Sequence, residues 1–162
     1  MSALLRDVPR LSPMTVAELQ AVVGIEASAY DFPWTRGNFI DSLAAGYLAR
    51  VLCDVDGRVV GYLVAMKGVE EVHLLNLTVA PQEQGKGYAR HMLDELVAAC
   101  AAMRARQLWL EVRESNTRAR ALYTRYGFRH IGVRRSYYPA LHGRREDAAV
   151  MALEIKGVSH VD

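Results

Sequence analysis

The stretch from Leu75 to Met103, LNLTVAPQEQGKGYARHMLDELVAACAAM, constrains the fold more than any other. It opens on an alternating apolar run and passes through a glycine-rich segment. It ends in a long amphipathic run free of Pro and Gly. That order predicts strand, tight loop, helix. The loop Gln84-Gly85-Lys86-Gly87-Tyr88-Ala89-Arg90 falls where the helix begins. A helix start offers unpaired N–H groups and a partial positive charge. Glycine lets that backbone approach a ligand closely, because no Cβ intervenes. The loop points to a phosphate-bearing ligand, or else to a glycine-rich turn before a helix and nothing more.

Two common phosphate motifs are excluded. Lys86 is followed by Gly87, so this is not a Walker loop. A dinucleotide fingerprint needs a third small residue where Arg90 stands. What remains is Gln84-x-x-Gly87-x-Ala89 behind a strand and Pro81.

The rest of the chain frames this unit. A length of 162 residues implies a single domain, assigned to residues 10–155, with a loose lead at 1–9 and a tail at 156–162. A net charge of +2 is too weak to argue for nucleic acid. Cys53 and Cys100 stand far apart, and the five histidines are scattered, so no metal site or disulfide is expected. No leader and no membrane-length apolar run is visible; a cytoplasmic chain, monomer or weak dimer, is the expectation.

In order, Leu11 to Met14 reads as a short strand. Thr15-x-x-Glu18 is a capping box for a helix from Val16 to about Ala29, with Leu19, Val22, Val23 and Ala27 or Ala29 as its stripe. Thr35 caps a second helix to about Leu43. Asp56-Gly57 joins strands Tyr47–Cys53 and Arg58–Met66 as a hairpin. Strand Val72–Val79, the loop, its helix and strand Gln107–Val112 make a parallel pair with a crossover. Ser115 caps a helix to Tyr126 that Gly127 ends. Phe128–Ser136 and Ala148–Glu154 close the sheet around a loop, Tyr137 to Asp147. The fold class is α/β with a mixed sheet (α+β in character), roughly six or seven strands and about four helices. Ligands favour the carboxyl ends of strands where such a sheet changes pattern, here the ends of Leu75–Val79 and Leu108–Val112.

Several stretches, taken in order, carry a resemblance over most of the chain. They are Phe32-Pro33-Trp34, Leu75 to Val79, the glycine loop, LWLEVRESN, Ala121-Leu122-Tyr123 with Gly127-Phe128, Arg134-Arg135-x-Tyr137-Tyr138-Pro139 and Arg145-Glu146-Asp147-Ala148. Together they resemble the RimI-type ribosomal-protein-alanine N-acetyltransferases of the GCN5-related N-acetyltransferase (GNAT) superfamily. The resemblance implies a GNAT fold, mostly antiparallel with one splayed parallel pair. It implies acetyl-CoA as co-substrate and no metal. The expected acceptor is the N-terminal alanine of the eighteenth small-subunit ribosomal protein, so the expected partner is the N-terminal segment of that protein. No nucleic acid or membrane partner is implied. A lysine side chain or a small amine is the alternative acceptor, and a coenzyme A or nucleotide binding module without catalysis is a third reading.

Site residues follow by position. Gln84, Gly85, Lys86, Gly87, Tyr88, Ala89 and Arg90 would hold the diphosphate, the backbone N–H groups of Leu77 and Val79 would polarise the thioester carbonyl, and Thr78 between them would also contact the cofactor. Asn116 matches a cofactor-contacting Asn, although a local helix-start role fits it equally. Glu111 would accept the proton of the amine; by pattern alone it is an exposed alternate on its strand. Tyr123 would donate toward the leaving thiolate; by pattern alone it packs in the core. Trp34, Tyr137 and Tyr138 would wall the peptide slot, with Tyr30 as a further wall. Asp31, Glu146 and Asp147 are candidates to meet arginines of the substrate. An α-amine is neutral about once in seven molecules at pH 7 and a lysine about once in 2,500, so an α-amine asks less of its base.

Overall fold

The computed structural model describes residues 9–157. The outer parts of the expected lead and tail, 1–8 and 158–162, lie outside the described residues. Among the described residues, seven strands hydrogen-bond in the order β1-β2-β3-β4-β5-β7-β6. They are β1 (Arg10–Pro13), β2 (Leu48–Cys53), β3 (Val59–Lys67), β4 (Glu71–Val79), β5 (Gln107–Arg113), β6 (Arg129–Pro139) and β7 (Arg145–Glu154). Four α-helices accompany them: α1 (Leu19–Ala29), α2 (Arg36–Ala44), α3 (Tyr88–Ala102) and α4 (Thr117–Tyr126). Among the described residues no helix is long and apolar enough to cross a membrane. The chain divides into two compact units, and β4 and α3 contribute residues to both.

The first unit holds the chain up to Met66 and Asn76–Leu96. Its helix starts follow from side-chain caps. Thr15 accepts from Ala17 N while Glu18 accepts from Thr15 N, closing the expected capping box. Thr35 and Asn38 form a second box ahead of α2. β1 and β2 pair antiparallel, as do β2 and β3. The β2–β3 register slips at Cys53, leaving Val60 as an extra residue whose carbonyl accepts from Ala80 N at 2.8 Å. Gly61 is the point of closest approach. A Cβ there would stand 2.8 Å from the Thr78 carbonyl oxygen and 3.0 Å from Met92 Cε. Met92, Leu93 and Leu96 of α3 are buried, with Met92 against Gly61 on this face; Phe39, packed on Tyr62, and Leu19 and Val22, on the α1 stripe with Glu26, are buried on the other face of β3. Each such side chain contributes about 1.5–3 kcal/mol by leaving water.

The second unit holds Lys67–Leu75 and the chain from Val97 onward. β4 and β5 pair parallel from Glu71↔Gln107 to Leu74↔Leu110. β5 then runs antiparallel to β7 over its whole length. Leu108, Leu110 and Val112 turn into the core, as the alternation of β5 requires. The closing hairpin differs from expectation. β6 continues through Tyr138 to Pro139, and β7 starts at Arg145 rather than Ala148. The reason is a bulge between Arg134 and Tyr138, where Ser136 takes φ +50°. Asp147 Oδ1 accepts from Ser136 N at 2.7 Å, and Arg145 donates to the carbonyls of Ser136 and Tyr137. Those bonds carry the ladder past a kink that reads in sequence as the end of a strand.

Candidate active site

In the first unit, β4 ends at Val79 and Pro81 opens a single 3-10 turn, Pro81–Glu83. Gln84 Nε2 donates to the Val79 carbonyl at 3.3 Å, tying the loop to the strand end. Gly85 and Gly87 take φ +84° and +83°, which explains both glycines. The first bond of α3 runs from His91 N to Gly87 O at 3.0 Å, so the N–H groups just before it have no partner within the helix. A Cβ at Gly85 or Gly87 would stand in open space. The loop therefore presents bare backbone, and its donors fit a diphosphate. Tyr88 and Ala89 are half-buried in the first turn, and Arg90 is exposed. Lys86 does not stand free over the loop: its Nζ lies 2.6 Å from Glu83, which also holds Arg58 at 3.2 Å.

Beside the loop lies a polar core that the sequence pattern did not reveal. Glu26, on the buried stripe of α1, is 2% exposed. Its Oε1 accepts from Tyr62 Oη at 2.7 Å and Asn76 Nδ2 at 3.0 Å; its Oε2 accepts from Trp34 N at 2.9 Å. Burial first, then the charge of Glu26, drives the Tyr62 phenol far above its ordinary range. Thr78, expected near the cofactor, turns its side chain inward to Asn76 Oδ1 at 2.7 Å. Val79 is buried beside it and Leu77 is half-buried. The Trp34 ring meets Phe39 at 5.2 Å, and Phe39 meets Tyr62 edge-on at 5.7 Å.

In the second unit, Glu111 is not an exposed alternate, as pattern alone suggests: its side chain is 5% exposed. Oε1 lies 2.8 Å from His73 Nε2, and Oε2 lies 3.4 Å from Arg134 Nε, which is not aligned to donate. His73 is a residue the sequence reading missed, since one histidine on an alternating strand carries no motif. Burial holds its imidazole below the ordinary value, against the pull of Glu111. The neutral ring then donates its Nε2–H to the carboxylate. Hydrogen bonding to Glu111, then burial and the charge of Glu111, raise the Tyr137 phenol. Tyr138 meets Tyr137 at 4.9 Å and lies under the Arg113 guanidinium at 4.5 Å. Tyr123 is buried on α4, 7% exposed, and meets Phe128 at 5.4 Å.

The structure thus gathers Glu111, Tyr137 and Tyr138 in one unit, with Tyr123 and Asn116 in the same unit. The loop, β4 end and Trp34 belong to the other. Asn116 caps α4 from outside, accepting from Ala119 N at 3.2 Å. Ser115, read as the cap, instead bonds Glu146 through its N and Oγ. Glu146 also takes Arg113 at 2.8 Å, and Asp147 holds the β6 bulge. Both acids are therefore engaged within the fold.

The sequence pattern of the Acetyltransferase (GNAT) family matches residues 19–128. A [ribosomal protein bS18]-alanine N-acetyltransferase of Haemophilus ducreyi is 38% identical over 129 residues, 80% of this chain and 88% of that protein. The crystal structure of the ribosomal-protein-S18-alanine N-acetyltransferase from Escherichia coli is similar with a TM-score of 0.85 at 34% identity, covering 96% of this chain and 98% of that one. A GNAT superfamily phosphinothricin acetyltransferase from Sinorhizobium meliloti, in complex with AcCoA, shares the fold at 24% identity and a TM-score of 0.76, covering 93% and 91%. A fold of this kind implies acetyl-CoA as cofactor. The strand order, the glycine loop before α3 and these matches agree, and the chain belongs to the GNAT family of acetyltransferases.

Proposed function

We propose that this enzyme transfers the acetyl group of acetyl-CoA to the α-amine of an N-terminal alanine, on a protein of the bS18 kind named in its relatives. The observation that supports it most is the buried Glu111 carboxylate with His73 at 2.8 Å. An α-amine with a pKa near 7.8 needs only a modest base to become the neutral nucleophile. Glu111 takes that proton, and the Nε2–H of His73 keeps the carboxylate oriented, with the Arg134 charge 3.4 Å away. A protein nucleophile is not required: the N–C bond forms as the C–S bond breaks. Acetyl-CoA supplies the activated thioester. The loop backbone at Gly85 to Arg90 holds the diphosphate, and the N–H groups of Leu77 and Val79 face the carbonyl oxygen, a contact commonly worth about 3 kcal/mol per donor. Tyr123 stabilises the departing thiolate by hydrogen bonding, because a phenol near pKa 10 is a weaker acid than a thiol near 8.5. Trp34, Tyr137 and Tyr138 line the peptide, and Asn116 has its Nδ2 left for the cofactor.

The test is release of free coenzyme A thiol with a panel of acceptors. An Ala-Arg-start peptide is expected to turn over. The same peptide with a blocked N-terminus, free lysine and a polyamine are expected to stay near background. Preference for the lysine or polyamine would overturn the assignment.

A further inference from the structure

A buried carboxylate sets the direction of a hydrogen-bond chain that ends at the phenol of Tyr30, a residue 36% exposed overall. Glu26 accepts from Asn76 Nδ2, which leaves Asn76 Oδ1 turned toward Thr78. An amide oxygen only accepts, so Thr78 Oγ1 gives its single proton to Asn76 at 2.7 Å. Thr78 then has only lone pairs for Tyr30 Oη, 2.7 Å away, and Tyr30 is the donor in that bond. The phenol proton is committed inward and its lone pairs are left for the outer side. Glu26 is 2% exposed, Thr78 3% and Tyr30 36%, so the chain runs from core to surface. Tyr30 Oη also lies 3.5 Å from the Leu77 carbonyl, which puts it at the end of β4. Burial raises the phenol pKa, which keeps the proton in place at neutral pH.

An attacking amine needs its own lone pair for the thioester, so only its hydrogens are available for binding. A phenol that donated outward would engage that lone pair and quench the nucleophile. A phenol that only accepts matches the amine. We propose that Tyr30 binds the acceptor by taking a hydrogen bond from an N–H of its N-terminal residue, and that Glu26 is the positioning residue that holds Tyr30 in the accepting orientation. The proposal rests on the peptide-acetylating function above, in which Leu77 to Val79 face the acetyl group.

The experiment is steady-state kinetics with an Ala-start peptide and acetyl-CoA, on the intact chain and on Tyr30→Phe, Glu26→Gln, Thr78→Val and the Tyr30→Phe/Glu26→Gln double variant. Tyr30→Phe keeps the ring and is expected to raise the peptide KM by about five- to tenfold, the weight of one lost hydrogen bond, with the acetyl-CoA KM within about twofold. Three donors converge on the Glu26 carboxylate, so Glu26→Gln sets its amide N–H against one of them and removes the charge that imposes the direction of the chain. Thr78→Val cuts it without touching Glu26. Both are expected to raise the peptide KM in the same way. The double variant is expected to be no worse for peptide than Tyr30→Phe alone, because the two residues act through one contact. An unchanged peptide KM in Tyr30→Phe overturns the proposal. Fully additive losses, or a rise in both KM values together, overturn the role of Glu26 and leave it a structural residue. Should Glu26→Gln not fold, Thr78→Val decides. No turnover of the peptide by the intact chain would sink the peptide-acetylating function itself, an outcome distinct from active enzyme with indifferent variants.

Discussion

His73 Nε2 stands 2.8 Å from Glu111 Oε1, and the His73 ring stacks on Trp109 at 3.6 Å with 9° between planes. The stack joins the residues directly opposed in the parallel β4–β5 ladder, and the carboxylate is two residues further along the same face of β5. Sheet register thus places an imidazole against the proposed base. Trp109 fixes the ring from one side and the hydrogen bond fixes its tilt.

Glu111→Gln keeps the shape of the site but removes the proton acceptor. Its kcat is expected to fall by about 10²–10⁴, with acetyl-CoA affinity unchanged, as measured by calorimetric titration and initial rates. His73→Phe preserves the stack on Trp109 and loses the bond to Glu111, so its kcat is expected to fall by about tenfold. A His73→Phe enzyme as slow as Glu111→Gln would make the imidazole itself the base.

The folded-state pKa of His73 is depressed below 6.5, chiefly by burial. The unfolded chain therefore binds a proton on acidification before the folded chain does. The stability contributed by the neutral ring is present above pH 6.5 and is lost as pH falls through the folded value. Thermal unfolding from pH 7.5 down to pH 5.5 is expected to show a larger drop in Tm for the parent chain than for His73→Gln. Parallel drops would mean that His73 does not carry this linkage. The Glu146 carboxyl is held below 4.5, its bonds to Arg113 and Ser115 outweighing burial, so its loss of stability falls at lower pH and does not overlap.

Much of the frame was legible because its signals are local. The Thr15 capping box, the Thr35 cap, the Asp56-Gly57 hairpin, the positive-φ glycine after α4 and the strand–loop–helix of Leu75–Met103 each need only neighbours in sequence. What was not legible depends on partners far along the chain. Glu26 reads as a surface charge on α1, and only Tyr62, Asn76 and the Trp34 amide explain its burial. His73 is one residue of an alternating strand until β5 is set beside it. Ser136 reads as the end of β6 because nothing nearby announces the bonds from Asp147 and Arg145 that carry the strand through the bulge. Ser115 and Asn116 are both good cap residues, and the distant Glu146 takes Ser115 out of contention.

Gly87 holds φ +83°, a conformation that costs an L-residue about 1–2 kcal/mol. Gly87→Ala is expected to raise the acetyl-CoA KM by about tenfold, since the loop must shift to relieve that cost. Lys86 is already paired with Glu83, so Lys86→Ala is expected to change the same KM by less than about twofold at physiological salt. The reverse ranking would mean that the lysine charge, and not the backbone, holds the cofactor.

A methyl group at Gly61 would sit 2.8 Å from the Thr78 carbonyl, a contact that only a backbone shift relieves. Gly61→Ala is expected to lower stability by about 1–3 kcal/mol in urea unfolding, the usual cost of overpacking. It is also expected to lower kcat, because β4 moves at Leu77 to Val79. A destabilised Gly61→Ala enzyme with parent kcat would separate the end of β4 from the chemistry.

The most direct measurement is tandem mass spectrometry of an Ala-Arg-start peptide, bearing one internal lysine, after incubation with the enzyme and acetyl-CoA. The account predicts a single acetyl group on the first residue, present with the intact chain and strongly reduced with Glu111→Gln. Acetyl found on the internal lysine, or a peptide left unmodified by active, acetyl-CoA-binding enzyme, would contradict it.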